Sequence, residues 1–384
     1  MSNSTRVSYF EATGYSGYNL MVYLPWDAAM LRVVVIPCLN EEVSLEKTCE
    51  SLGFCHGPHG LGDDALLVLV DNGSTDRTVA VMERIQDRSL AGQVHILHES
   101  ERGYVPPRHR GVLFARDAAR ARRVGEERVL IVQADADTAY GPLYVDTHTA
   151  TAAGLGLGVL LEGLRESPPD FARAHPGFMV LCRRTDAVIA AAFVAPEIDV
   201  IVDDKACAFA LADYFAWGGL SREYTSAGEE VYAETSRLYM RGRLRGARRV
   251  AVPEAIAYPS RRKLYGDPVG YFATAGFPRE ASWYRHFDQA YHGPRGLDAF
   301  EHRAATKLLA EAIRMRQAHC VALFALLPAH VESLRNLSGS SVTTDENSYD
   351  GARLFEWAFA RVAHPTPTQH RDLVQWGCRS GHLP

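Results

Sequence analysis

With 384 residues, of which 47% are hydrophobic and 23% charged, the chain has the make-up of one large or two ordinary globular domains. A formal net charge of −5 gives no electrostatic basis for nucleic acid or an anionic membrane as the main partner. Seven cysteines, at 38, 49, 55, 182, 207, 320 and 378, argue against a disulfide framework or a zinc site, being odd in number and without CxxC spacing; they suit a reducing cytoplasm. Met1–Val7 lacks the apolar core of a secretory signal. The longest apolar stretches, Ala152–Leu161 and Cys320–Pro328, are too short to span a bilayer, which leaves only peripheral membrane contact open.

In chain order, residues 1–30 read as an aromatic-rich arm, and from Leu31 a strand–helix alternation begins. Leu31–Pro37 is a β-branched apolar strand, followed by a helix over Val43–Leu52 with Glu42 at its dipole-favourable start. Ala65–Val70 is a second strand, after which Ser74 and Asp76 cap a helix to about Asp87. Gln93–His98 is a third strand, Pro106 and Pro107 open a helix towards Arg122, and Arg128–Val132 is a fourth strand. Strands spaced by helices of this length predict an α/β fold with a mostly parallel, doubly wound sheet.

Beyond Asp137 the alternation loosens. Gly141–Ala153 reads as a helix, Leu155–Leu161 as a strand and Arg165–Pro176 as a loop. Helices follow around Asp186–Val194 and Asp203–Phe215, the second broken at Trp217-Gly218-Gly219. Glu229–Arg241 reads as a helix and Arg248–Pro253 as a strand. From Ala299 the chain is helical, interrupted by a polar loop at Ser338–Asp350. The run Gly154-Leu155-Gly156-Leu157-Gly158 lies too far past the first strand for a dinucleotide fingerprint and reads as packing.

Chemistry-bearing residues gather at the ends of the strands, where ligands bind in open α/β sheets. Pro37 ends the first strand, and Asn40, Glu41 and Glu42 offer acceptors there. Asp71, Asn72 and Gly73 end the second: Asp71 can accept from a ribose hydroxyl or a base N–H, and Gly73 lets backbone approach a ligand. Arg108, at the start of the third helix, offers fixed donors to carbonyl or phosphate oxygens. The fourth strand ends in Asp135-Ala136-Asp137, two carboxylates whose mutual repulsion a divalent cation bound to phosphate oxygens would remove.

Taken in order, Val34–Glu42, Leu69–Thr78, Arg102–Gly111 and Leu130–Asp137 resemble the family 2 glycosyltransferases of the GT-A fold. Gly218-Gly219 followed by Gly228-Glu229-Glu230 is similar to the family's acceptor-side segment, so the resemblance spans roughly residues 31–265. It implies a GT-A fold, Rossmann-like with a mostly parallel sheet flanked by helices and a C-terminal helical extension. The halves would be 31–140 for the nucleotide-sugar and 141–275 for the acceptor, with helices over 276–384. It further implies a UDP- or GDP-sugar donor, Mn²⁺ or Mg²⁺, a hydroxyl-bearing acceptor and inversion of the sugar centre.

Under this resemblance Asp71 contacts the base or ribose and Arg108 lies near base and phosphates, although His109 replaces the family's usual Asn. Asp137 is the direct metal ligand, with Asp135 as a second ligand or nearer the ribose. Glu230, beside Glu229, takes the place of the family's basic Asp. Arg261 and Arg262 look like a loop that closes over the diphosphate. The Gln-x-x-Arg-Trp motif of processive synthases is missing, which points to a non-processive cytoplasmic enzyme and leaves room for a homo-oligomer. Three alternatives stay open: a retaining transferase, a nucleotidyltransferase, and a degenerate GT-A domain used for assembly. Trp217, Tyr224, Trp283 and Tyr284 are equally readable as sugar-stacking or as core aromatics.

Overall fold

A computed structural model describes residues 30–55, 60–193, 201–222, 233–276 and 282–321. The expected N-terminal arm, Tyr224, Glu229, Glu230 and the loop Ser338–Asp350 lie outside the described residues. The first half follows the sequence pattern closely: β1 (Leu31–Cys38), α1 (Leu45–Ser51), β2 (Ala65–Asp71), α2 (Thr78–Asp87), β3 (Val94–His98), α3 (Val105–Ala121) and β4 (Val129–Gln133). β1 pairs in parallel with both β2 and β4, and β2 with β3. β1, β2 and β4 are apolar on both faces because both faces are covered. Val34, Ile36, Leu67, Leu69, Leu130 and Val132 pack in the layer that holds Leu45, Val81 and Ile85. Their sequence neighbours Val33, Val35, Leu66, Val68 and Ile131 pack against Val112 and Ala115 of α3.

The second half departs from the expected pattern. After Asp137 a three-residue strand, β5 (Thr138–Tyr140), precedes α4 (Tyr144–Ala153), and β6 covers Val159–Arg165. The segment expected to be a loop, 165–176, contains helix α5 (Pro169–Ala174), and α6 (Pro176–Phe193) absorbs the helix expected at 186–194. The helix expected over Asp203–Phe215 is instead a strand, β7 (Cys207–Ala210), followed by a short helix, α7 (Leu211–Ala216). Cys-Ala-Phe-Ala carries no β signal of its own, yet all four residues are buried between β4 and β6, and that tertiary slot overrides local propensity.

α8 (Glu234–Arg243) leads to β8, which runs from Arg248 through Pro253 to Pro259 instead of stopping at Pro253. The register with β6 shifts between Gly163 and Leu164, so Pro253 falls in the bulged stretch, where its missing N–H breaks no ladder bond. Gly163 is needed at that bulge: a Cβ there would stand 2.3 Å from the Ala255 carbonyl oxygen. The remaining helices are α9 (Arg262–Gly266), α10 (Pro268–Ala273), α11 (Ser282–Ala290), α12 (Asp298–Glu301), α13 (Ala305–Leu308) and α14 (Ala310–Val321).

These elements give one mixed eight-stranded sheet, ordered β3-β2-β1-β4-β7-β6-β8-β5, parallel over its first four strands and flanked by helices on both faces. A separate apolar cluster joins Phe171, Phe178 and Leu181 to Leu264, Phe272, Phe300, Leu309 and Met315, so α5 and α6 pack with the later helices. No helix among the described residues is long and apolar enough to cross a membrane.

The tightest approach of helix to sheet is at Gly111 in α3, where a Cβ would lie 2.3 Å from Val35 Cγ1. Gly111→Ala is therefore expected to lower unfolding stability by about 1–3 kcal/mol through overpacking. A denaturant midpoint that matches the wild type would show that α3 can slide outward freely.

Candidate active site

Sheet topology brings the chemistry to one edge. β7 runs antiparallel to both β4 and β6, with Val132 opposite Ala208 and Leu161 opposite Ala208. The C-terminal ends of β4 and β6 therefore point the same way, and the residues that lead into β7, Asp203-Asp204-Lys205, lie at that same edge. β8 is parallel to β6, so its C-terminal end, with Ser260 to Lys263, arrives there too. β5 pins it in place: Thr138 pairs with Pro259, and the Ser260 N–H donates to the Asp137 carbonyl at 2.9 Å.

The loops after β1 and β2 are zipped together. Asn40 sits in the left-handed region at φ 58°, which Asn tolerates better than most residues, and this turns its side chain onto the second loop. Its Oδ1 accepts from the Thr75 N–H at 2.8 Å, and its own N–H donates to Ser74 Oγ at 3.1 Å. Ser74 thus holds the neighbouring loop and does not cap α2. The backbone N–H of Glu41 donates to Thr78 Oγ1 and that of Glu42 to Asp76 Oδ2. Glu42 accepts from Arg77 Nε at 2.9 Å, and this pairing holds its carboxyl below the usual range.

The buried Asp71 turns its carboxylate onto its own loop, accepting from the N–H groups of Ser74 at 3.0 Å and Gly73 at 3.3 Å. Burial opposes its ionisation, but the Ser74 and Gly73 hydrogen bonds prevail and lower its pKa. Asn72 clasps the next loop: its amide donates to the carbonyls of Glu99 and Glu101, and its Oδ1 accepts from Gly103. Both amide hydrogens of Asn72 and one lone pair of its Oδ1 are thus used to hold the two loops together. Gly73, at φ 82°, has Arg102 folded across it, donating to its carbonyl at 2.6 Å. Pro37 sits within the β1–β2 ladder opposite Val70.

At the centre lies Arg108, which is 4% exposed. Its Nη2 donates to Asp135 Oδ1 at 2.6 Å and to Asp204 Oδ2 at 3.0 Å, and its Nε lies 3.2 Å from Glu234 Oε1. Lys205 Nζ completes the network, 3.0 Å from Asp204 and 3.3 Å from Asp135. Burial works against each charge, but Asp135, Asp204 and Glu234 hold the Arg108 guanidinium protonated. For Asp204 too burial is outweighed, and Lys205 and Arg108 keep its carboxyl well below its ordinary value. For Glu234, burial prevails over Arg108 and raises its pKa. The sequence signal for Asp203-Asp204-Lys205 and Glu234 was hidden, because the first was read as the start of a helix.

Asp137 is placed differently. Burial, then the charges of Asp135 and Glu41, push its carboxyl from 3.8 to about 6, and the nearest guanidinium, Arg262 Nη2, is 3.8 Å away. Arg262 is drawn to Glu41, which accepts from it at 2.8 and 3.0 Å. Among the described residues no three His, Cys, Asp or Glu side chains converge tightly enough to make a metal cage. The donor set instead fits a hard cation held by one carboxylate and completed by substrate phosphates and water, the usual arrangement for Mg²⁺. At Asp137 the charges of Lys263 and Lys205 oppose burial and the neighbouring acids without outweighing them. Both oxygens of Asp135 are engaged, Oδ1 by Arg108 and Oδ2 by Lys205.

The basic loop divides. Arg262 faces Glu41 and Asp137, while Arg261 turns away, lies 5.1 Å over the Phe171 ring and donates to Ser167. Trp217 is core, packed on Phe209 and Gly242, and the Tyr284 hydroxyl donates to Asp267 at 2.6 Å. In the Gly154–Gly158 run, Gly156 and Gly158 take positive φ, and the Gly158 N–H donates to Asp213.

Two substitutions separate these roles. Arg108→Met removes the buried cation shared by Asp135, Asp204 and the buried Glu234 and is expected to cost about 3–5 kcal/mol of unfolding stability at pH 8. The loss should shrink at pH 5, where the stranded carboxylates can take up protons; urea midpoints at the two pH values measure it. For Asp137, a folded-state pKa raised from 3.8 to about 6 favours the protein at low pH, and that stability is lost as pH rises through 6. In EDTA, Asp137→Asn should therefore be more stable than wild type at pH 8 by on the order of 1–3 kcal/mol, with the gain vanishing below about pH 4.

Comparison with known proteins agrees with this geometry. The sequence model of the family described as Glycosyl transferase family 2 matches residues 33–145, which run from β1 into α4 and contain both zipped loops, Arg108, Asp135 and Asp137. No curated protein matches the chain significantly. Among solved structures, glucosyl-3-phosphoglycerate synthase from Mycobacterium tuberculosis, in complex with Mn²⁺, UDP and glucosyl-3-phosphoglycerate, is 18% identical with a TM-score of 0.38, covering 65% of this chain and 79% of that chain. The mannosyltransferase PcManGT from Pyrobaculum calidifontis, with GDP-Man and Mn²⁺, is 16% identical with a TM-score of 0.44, covering 95% and 90%. S. aureus TarS 1–349 is 15% identical with a TM-score of 0.40, covering 92% of each. At these values the three structures carry no argument about substrate. Residues 33–145 of the chain are thus similar to the family described as Glycosyl transferase family 2.

Proposed function

We propose that the protein transfers a sugar from a UDP- or GDP-sugar to a hydroxyl group of an acceptor, with Mn²⁺ or Mg²⁺ and with inversion at the sugar carbon. The observation that carries this reading is Asp137: a carboxylate left short of positive charge, at the edge where the family 2 segment assembles its loops. Bound there, a divalent cation would neutralise the diphosphate leaving group. Asp137 is its protein ligand, and Arg262, beside Glu41, supplies a second positive charge for the phosphates.

The remaining residues orient the donor. The pocket wall for the nucleoside is the pair of loops zipped through Asn40, Glu42 and Asp76, with Asp71 and Gly73 on its inner side. Arg108 and Lys205 engage the two oxygens of Asp135 and so orient its carboxylate. Glu230, with Glu229 beside it, is the proposed base that removes the acceptor proton, by its match to the family's acidic position. A cytoplasmic setting suits the cysteines: Cys38, Cys49, Cys55, Cys182, Cys207 and Cys320 are all free thiols.

The test combines donor binding and turnover. Calorimetry with UDP and GDP in the presence of Mn²⁺ should show binding of one nucleotide, and the matching sugar donors should raise the melting temperature. Asp137→Ala should lower metal-dependent kcat/KM by roughly a hundredfold or more, the scale of losing several kcal/mol of charge stabilisation, without lowering the melting temperature. Wild-type turnover in that variant would refute the metal assignment. Glu230→Gln should depress transfer far more than donor binding; equal loss of both would assign Glu230 a structural role.

A further inference from the structure

The edge that holds Asp137 continues past the donor residues to a second group of cations. Arg165 ends β6 and pairs with Ala257 of β8, four residues before Arg261, so the two arginines leave adjacent parallel strands side by side. Arg165 Nη1 lies 3.4 Å from Asp203, its Nη2 donates to the Tyr271 hydroxyl at 3.3 Å, and its side chain is 38% exposed. Arg261 is braced from below by Phe171 and donates to Ser167. The same Tyr271 hydroxyl faces both guanidinium groups.

The charges here do not close. Arg165 shares Asp203 with Lys205, whose ammonium is 4.0 Å from the same carboxylate. Arg261 is paired with no carboxylate among the described residues, and its buried Nε has no hydrogen-bond partner among them. Burial lowers its pKa, and the charge of Arg165 acts in the same direction. Two guanidinium forks held at neighbouring strand ends, one of them short of an acceptor, suit a planar or tetrahedral oxyanion taken up from solution. Arg262 already serves the donor side through Glu41 and Asp137, so the donor has its cation.

We propose that Arg165 and Arg261, with Ser167, form an oxyanion subsite that receives a phosphate monoester or carboxylate group carried by the acceptor. This rests on the transfer reading above, and it makes the acceptor a small acidic hydroxyl compound. The subsite lies on the β6–β8 side of Asp203, so its anion enters beside the donor and not in place of it.

The experiment uses the full chain saturated with the binding nucleotide and Mg²⁺, titrated with inorganic phosphate in one arm and acetate in another. Saturable binding of either anion to the nucleotide-loaded protein is expected. Arg261→Gln and Arg165→Gln should each weaken it about tenfold or more, as removal of a hydrogen bond to a charged group does. Arg261→Lys, which keeps the charge and the packing on Phe171, should weaken it less, and nucleotide affinity should stay within about twofold in all three variants. The proposal is overturned if nucleotide displaces the anion competitively, since the cluster would then belong to the donor diphosphate. It is equally overturned if neither anion binds, or if the Gln variants bind as well as wild type. Failure of nucleotide binding with phosphate binding intact would refute the transfer reading, and with it the acceptor role, while the subsite itself stood.

Discussion

The buried Arg108 guanidinium is the interaction on which the site depends. It joins α3 to the end of β4 through Asp135, to the approach to β7 through Asp204, and to the start of α8 through Glu234. Lys205 shares the pairing from the opposite side of Asp135 and Asp204. A network of this kind contributes little net stability against an apolar alternative. Its effect is geometric: one side chain sets the relative position of elements from both halves of the sheet.

The same network explains why the two aspartates of Asp135-Ala136-Asp137 differ. They are one residue apart, but the turn after β4 sends Asp135 inward to two cations and leaves Asp137 between Glu41 and Arg262. One carboxylate pairs with two cations within hydrogen-bonding reach, whereas the nearest guanidinium to the other is 3.8 Å away. Burial and neighbouring acids raise the pKa of Asp137, and that electrostatic strain would be relieved by a cation bound to it.

Charge is also sorted along the edge. From β1 and β4 towards β8 it passes from the acid-rich loops after β1 and β2, through the balanced Arg108–Lys205 centre, to the arginines 165, 261 and 262. β5 makes this ordering possible, because three residues paired with the end of β8 bring the basic loop beside Asp137. Arg261 and Arg262 are adjacent in the chain yet face different partners, one on Phe171 and Ser167, the other on Glu41.

The parallel half of the sheet was legible from the chain itself. Leu31–Cys38, Ala65–Asp71 and Val129–Gln133 are apolar runs long enough for strands, separated by helix-length polar stretches, and their C-terminal residues are the ones a ligand would meet. Asn40, Asp71 and Asp137 stood out as polar groups placed where a buried strand ends, and Arg108 as a cation at the start of α3. The tertiary structure alone decided the rest. Cys207–Ala210 becomes a strand only because β4 and β6 leave a slot for it, and that slot carries Asp203-Asp204-Lys205 to the site. The roles of Asp135, Asn72 and Arg261 were likewise out of reach of the sequence, since each depends on a partner distant in the chain: Lys205, Glu99 with Glu101, and Ser167. Strand-end chemistry follows from local pattern; which charged partners each carboxylate meets follows from long-range pairing.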